Sequence, residues 1–211
     1  MKDYPLFIAL DGIDGCGKTT LAQGMYAEMT RMKRRVKLTR EPGGTEVGML
    51  LRQLLVNQKF DLEPETELML YCADRLEHQT KLVIPNIQSG RDVISDRFMS
   101  STYAYQIFGR GLDKNLLDFL TKYSVVKMPD ITFIIDIDPQ TALSRALDRL
   151  RRDNKMQDEG KFESLGVDFF DKVHNGFKWY VDTHPNTWVI NGMQEKEKVL
   201  SDVMDILDNF V

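Results

Sequence analysis

Thiols are scarce in this sequence: Cys16 and Cys72 are the only cysteines among 211 residues, too few for a zinc cluster. Both fall inside motif-bearing segments, so reduced thiols in a cytoplasm are expected. Long apolar runs are missing too, since none approaches the ~18 residues of a membrane span. The apolar run after Met1-Lys-Asp-Tyr-Pro5 is too short for a signal-peptide core and ends at Asp11 and a glycine loop, so neither export nor a membrane partner is expected. Positive charge is not in excess. With 28 Lys and Arg against 32 Asp and Glu the net charge is −4, which argues against a strongly basic nucleic-acid surface but leaves room for local clusters that hold small anions. The three histidines, His78, His174 and His184, form no catalytic pattern. No repeat, linker or low-complexity tract interrupts the chain, and its length and near-average composition suit one domain over residues 1–211.

What is present alternates between strand and helix. Apolar runs at Leu6–Leu10, Val36–Thr39, Asp92–Asp96, Pro129–Asp136 and Thr187–Ile190 read as strands. Helical spacing covers Lys18 to about Lys33, Glu46–Val56, Pro64–Ile84, Ser100–Phe108, Leu112–Tyr123, Pro139 to about Arg152, Phe162–Tyr180 and Glu195–Phe210. Residues 153–160 lose apolar periodicity and gain charge and glycine, which predicts a mobile loop. This alternation implies right-handed crossovers, hence an α/β fold with a central five-stranded parallel sheet flanked by helices in three layers. Ligands of such a sheet bind at its carboxyl edge.

Between the first strand and the first helix stands Gly12-Ile-Asp-Gly-Cys-Gly-Lys-Thr19, which satisfies the G-x-x-x-x-G-K-[ST] spacing in the required strand-loop-helix context. Glycines let backbone N–H groups turn inward around phosphates, and the helix adds its positive end. Lys18 bridges the outer phosphates in this reading, and the Thr19 hydroxyl holds Mg²⁺. The loop, Gly12, Ile13, Asp14, Gly15, Cys16, Gly17, Lys18, Thr19 and Thr20, is therefore the expected ATP site, with Cys16 as packing.

A triphosphate cradle leaves GTPases, ATPases, transporters and kinases open. Further polar segments follow the strands: Thr39-Arg-Glu-Pro-Gly-Gly-Thr45, Ala73-Asp-Arg75, Asp96-Arg97 and Ser101-Thr-Tyr-Ala-Tyr-Gln106. Arg40 and Arg97 end predicted strands and should enter the crevice of the phosphate loop, where guanidinium forks suit a second phosphate. Taken alone, Tyr71 fits a core aromatic as well as a binding face, and Asp96 fits a strand-end cap. Two rivals share much of this pattern, another nucleoside mono- or deoxynucleoside kinase and a nucleotide switch that transfers nothing to a small molecule.

Asp11-Gly-Ile-Asp-Gly-Cys-Gly-Lys-Thr-Thr20, Thr39–Thr45, Tyr71-Cys-Ala-Asp-Arg75, Asp96-Arg-Phe98, Ala104-Tyr-Gln106 and Gly109-Arg-Gly111 together resemble the bacterial type of thymidylate kinase, in that family's order and over nearly the whole chain. The resemblance implies a P-loop NTPase fold like that of nucleoside monophosphate kinases, ATP and Mg²⁺, dTMP as acceptor and dTDP as product, and a homodimer. It implies that Asp14 approaches the deoxyribose 3′-hydroxyl and that Arg40 and Arg97 grip the acceptor phosphate. Pro42 shapes the pocket, Tyr71 stands where a phenylalanine usually stacks on thymine, and Arg75, Thr102 and Gln106 read the base. Tyr105 or Tyr103 crowds the ribose 2′ side, and Asp96 orients the Mg²⁺ shell.

The family takes an extra cation from the loop or from the lid. Gly15 and Cys16 offer none, so the lid, about residues 149–161, must supply it from Arg149, Arg151, Arg152, Lys155 or Lys161. In Gly160-Lys-Phe-Glu163, Lys161 replaces the family's usual arginine, and a lysine lacks the planar fork. Lys161→Ala is expected to lower kcat at least tenfold, as for a lost transition-state cation. Arg145, one turn before Arg149, is expected against adenine.

Overall fold

A computed structural model describes residues 4–210. Five parallel strands, β1 (Phe7–Asp11), β2 (Val36–Arg40), β3 (Asp92–Asp96), β4 (Ile131–Asp136) and β5 (Thr187–Asn191), form one sheet in the order β2-β3-β1-β4-β5. Successive side chains of the buried strand β1 leave on opposite faces. Leu6, Ile8 and Leu10 pack with Met25 and Met29 of α1 (Lys18–Arg31) and with Val203 and Leu207 of α10 (Lys196–Asn209). Phe7 and Ala9 pack on the other face with Leu68, Val83, Tyr103 and Leu117. Two cores, one on each face, explain why the inner strands read as continuous apolar runs. Pairing of Leu10 with Asp96 and of Arg40 with Asp96 brings the polar ends of β1, β2 and β3 to one edge.

Helix starts follow the sequence closely because caps are local. Thr45 accepts from Gly48 N at 2.9 Å to open α2 (Glu46–Val56), and Asp138 accepts from Thr141 N at 2.8 Å to open α7 (Pro139–Arg152). Asp113 does the same for α6 (Lys114–Ser124) through Asn115 N at 2.9 Å.

Four segments differ from expectation. Helix α3 (Pro64–His78) passes its predicted end through a π-helical turn over Gln79–Val83 into α4 (Ile84–Gln88). The wider turn, in which Ile84 N donates to Gln79 O, leaves Pro85 in the first turn of α4, where a missing N–H is harmless. The helix predicted from Ser100 is α5 (Met99–Thr102) followed by π-helical Tyr103–Gly109. The helix predicted from Phe162 begins instead as a short 3₁₀ turn, Glu163–Leu165; Gly166 at φ 78° breaks it before α9 (Val167–Thr183). Residues 153–160 contain a helical turn, α8 (Met156–Glu159), docked on the end of α2. Gln58 donates from Nε2 to Gly160 O at 2.9 Å and from its backbone N to Gln157 O at 3.0 Å, while Asn57 Nδ2 donates to Asp158 at 3.2 Å.

Candidate active site

The chain leaves β1 through a loop whose Gly12, Gly15 and Gly17 have φ of 142°, 87° and 94°. At Gly15 a Cβ would stand 2.0 Å from the carbonyl oxygen of Ala142 on α7, so only glycine fits. Ile13 and Cys16 point into the core, and burial pushes the Cys16 thiol up, away from the reactive thiolate. Thr20 is exposed. Lys18 folds back over the loop: its Nζ donates to Ile13 O at 3.2 Å and lies 3.4 Å from Asp14.

Thr19 Oγ1 donates to Asp96 Oδ2 at 2.5 Å, and the buried Asp96 Oδ1 has no partner among the described residues. No group of three or more His, Cys, Asp or Glu is placed to hold a metal among those residues. A hydroxyl and a free carboxylate oxygen beside a phosphate cradle suit Mg²⁺, which takes one or two protein oxygens and fills its shell with phosphate and water.

Arg97 follows β3 with φ 78°, a left-handed backbone uncommon for a residue with a Cβ. That turn aims its guanidinium at the loop. It donates to Asp14 Oδ1 at 2.6 Å and Ser101 Oγ at 2.6 Å, and lies 4.9 Å from the centre of the Tyr105 ring. Tyr105 OH donates to the other Asp14 oxygen at 2.8 Å. Burial opposes the Asp14 charge, but Arg97 and Lys18 beside it hold the carboxyl well below the usual carboxylate range. Beneath Arg97, Asp11 accepts from Phe98 N at 3.0 Å and from the hydroxyls of Ser100 and Ser101, which pins the start of α5; burial pushes this carboxyl up.

A cavity of about 220 Å³ opens from these residues. Arg40 and Pro42 line one side, and Tyr71, Arg75, Thr102 and Gln106 line the far end, so the acceptor residues named from the sequence converge. Arg52 of α2 also faces it. Its NH1 donates to Pro42 O at 3.2 Å, and burial, then the charge of neighbouring Arg40, holds its pKa below the ordinary arginine value. Glu159 meets Arg52 at 3.8 Å, and Arg40 adds a second guanidinium to the same cavity lining, which suits an anionic ligand.

The far end rests on buried polar pairs. Arg75 donates to Glu41 at 3.0 Å and Thr102 at 2.8 Å and covers the Phe98 ring at 5.0 Å. Burial opposes its charge, but Glu41 holds the pKa above the ordinary value. His78 spans Glu41 and Thr39 at 2.8 Å each and so braces the Thr39–Thr45 loop. Asp74 accepts from Gly43 N at 3.1 Å, with its second oxygen unpartnered among the described residues. Burial, then Glu41, pushes its carboxyl up to about 7. Gln106 donates to Glu67 at 3.0 Å.

The lid places its cations unequally. Arg149 lines the cavity 3.8 Å from Glu163, whose carboxyl is pushed up to about 7 by burial and then by Asp14. Lys161 does not line the cavity: it is buried with its Nζ 3.0 Å from the fully buried Glu67, an ion pair in which the Nζ forms no hydrogen bond among the described residues. Arg152 points to solvent beside Asp153, and Arg145 is exposed on α7; neither lines the cavity. Phe162 closes over the Tyr105 ring edge-on at 5.2 Å, and Glu159 sits 3.8 Å from Arg52. Arg52, Glu41, Glu67 and Phe162 escaped the sequence reading. Glu67 had a signal, since it precedes Tyr71 and Arg75 by four and eight residues on one face of α3.

A triphosphate cradle and a second anion pocket facing each other at the carboxyl edge of a parallel sheet are the plan of a P-loop kinase with a small phosphorylated acceptor. The thymidylate kinase family model matches residues 10–203. A thymidylate kinase of Maridesulfovibrio salexigens is 38% identical over 94% of this chain and 93% of its own length, and one of Wolbachia pipientis subsp. Culex pipiens is 39% identical over 96% and 95%. The crystal structure of thymidylate kinase from Ehrlichia chaffeensis superposes with a TM-score of 0.76 at 32% identity, covering 97% of this chain and 99% of that one. The chain belongs to the thymidylate kinase family.

Proposed function

We propose that this protein transfers the γ-phosphoryl group of ATP to the phosphate of dTMP, giving dTDP. The observation that carries the reading is a single cavity lined by Arg40, Arg52 and Arg97 together with Tyr71, Arg75, Thr102 and Gln106. A phosphate between guanidiniums and a flat base against an aromatic and edge donors use every one of these groups.

The acceptor oxygen is already anionic, so no general base is required and positioning with charge neutralisation carries the rate. ATP lies on the loop with Lys18 on its outer phosphates. Thr19 and Asp96 would hold Mg²⁺, which would supply further charge neutralisation at the donor phosphates. Arg97 exchanges Asp14 for the acceptor phosphate, and Asp14 with Tyr105 then meets the sugar. Arg149 is the lid cation best placed for the moving group, and the exposed Arg145 is available to adenine. Thr102 sits behind Arg75 and aims it at the base edge.

A cytoplasmic setting and a homodimer belong to the same proposal. Exposed Val47 and Leu50 of α2, Met69 of α3, and Phe119 and Tyr123 of α6 offer an apolar face. The helix from Ser100 gives none of it, because Tyr103 to Ile107 are buried under α9 and in the site.

A coupled ADP-release assay with ATP and a panel of acceptors tests the activity. We expect dTMP to exceed dCMP, dGMP and thymidine in kcat/KM. Equal use of dTMP and dCMP would sink the acceptor assignment, and hydrolysis without an acceptor would favour a nucleotide switch.

A further inference from the structure

Gln106 is buried at the base end of the cavity, and an amide can present either its oxygen or its NH₂ to a bound ring. Which one it presents decides which base is accepted. We propose that Glu67 sets base selectivity by fixing that amide; the inference rests on the reading of the cavity as a pyrimidine monophosphate site.

Glu67 is fully buried on α3, one turn before Tyr71. Its two oxygens meet three groups from separate parts of the chain: Gln106 Nε2 at 3.0 Å, Arg110 at 2.9 Å and 3.3 Å, and Lys161 Nζ at 3.0 Å. Arg110 only donates, and Lys161 is an ion-pair neighbour whose Nζ forms no hydrogen bond among the described residues, so Glu67 accepts in each side-chain hydrogen bond it makes. The Gln106 amide cannot turn its oxygen toward Glu67, because two acceptors would face each other without a proton. Its NH₂ is therefore held by Glu67, and its Oε1, which accepts from none of the described residues, is left for the cavity.

A lone acceptor at that position selects an N–H. The ring N3 of thymine and uracil carries one; the N3 of cytosine carries a lone pair and would be opposed by Oε1 without a proton between them. Imide bases are thus admitted and cytosine refused by a carboxylate that never touches the base. Glu67 is a positioning residue. Arg110 donates to both Glu67 oxygens, and Lys161 at 3.0 Å brings the lid to the same carboxylate.

Glu67→Gln tests this, because an amide at 67 can donate to the Gln106 oxygen and lets Gln106 present NH₂ to the base. We expect the ratio of kcat/KM for dTMP over dCMP to fall about tenfold or more, the usual consequence of one mispaired buried hydrogen bond. Loss of packing alone lowers both acceptors and leaves the ratio in place. If E67Q binds ATP and melts cooperatively but keeps the wild-type ratio within about twofold, the proposal is overturned while the dTMP assignment stands. If the wild type shows no dTMP preference, the acceptor reading fails and the proposal with it. Should E67Q not fold, the exchange E67Q/Q106E decides. It restores one carboxylate and one amide and again leaves only acceptor oxygens toward the base, so a wild-type preference supports the proposal and a lost one overturns it.

Discussion

The phosphate loop and the lid both serve charge, and they are assembled in opposite ways. In the loop, Gly12, Gly15 and Gly17 bend a short stretch of backbone, and the Lys18 ammonium finds its polar partners, Ile13 O and Asp14, within five residues of itself. In the lid, Lys161 is paired with Glu67 and Glu159 stands near Arg52, partners about a hundred residues away, while Gly160 is tied to Gln58. Backbone geometry can be specified by a local string of glycines. A buried charge needs a partner from elsewhere, because desolvation otherwise expels it, and so the lid's position depends on the rest of the fold.

The comparison yields predictions of decreasing size. Arg97 belongs to the loop side, and Arg97→Ala removes the guanidinium that the proposed function puts on the acceptor phosphate. Single-turnover assays should show phosphoryl transfer slowed by about 10²–10³-fold, and a loss under tenfold would take Arg97 out of the transition state. Within the lid, Arg149→Met is expected to lower kcat by about 10–100-fold, whereas Lys161→Met acts mainly on the KM for the acceptor and Arg152→Ala stays within about twofold. Steady-state kinetics with both substrates varied would expose the reverse pattern, which would return Lys161 to the moving phosphate.

A smaller effect separates the two regions by pH. Asp74, behind the acceptor loop, has a folded carboxyl raised to about 7 from an ordinary value of 3.8. A carboxyl raised on folding stabilises when protonated: its contribution is full below the unfolded value and is lost as pH rises through about 7. Asp74→Asn, neutral throughout, should flatten that decline. We expect the wild type to lose roughly 2 kcal/mol relative to this variant between pH 5 and 8, measured by urea unfolding, and parallel curves would show that Asp74 titrates normally.

Much of this architecture was legible in the sequence. All five strands and the loop announce themselves through apolar runs and glycine spacing, while the resemblance to the family singled out Arg40, Pro42, Tyr71, Arg75, Thr102 and Gln106, which line one cavity. The π-helical turns did not, because the pattern of Gln79–Val83 and Tyr103–Gly109 is still helical and one extra residue per turn barely changes it. Nor did the destination of Lys161. A charge run reads as solvated surface until the fold supplies Glu67, and burial is invisible to a one-dimensional pattern.

The φ of 78° at Arg97 reaches beyond catalysis. A side chain held in the left-handed region gives up about 1–3 kcal/mol, and glycine there would relax it at once. Selection for folding alone would therefore erode this position, and a stability-guided redesign would rank Arg97→Gly among its improvements while abolishing the grip on the acceptor. The strained backbone marks a place where activity and robustness pull in different directions.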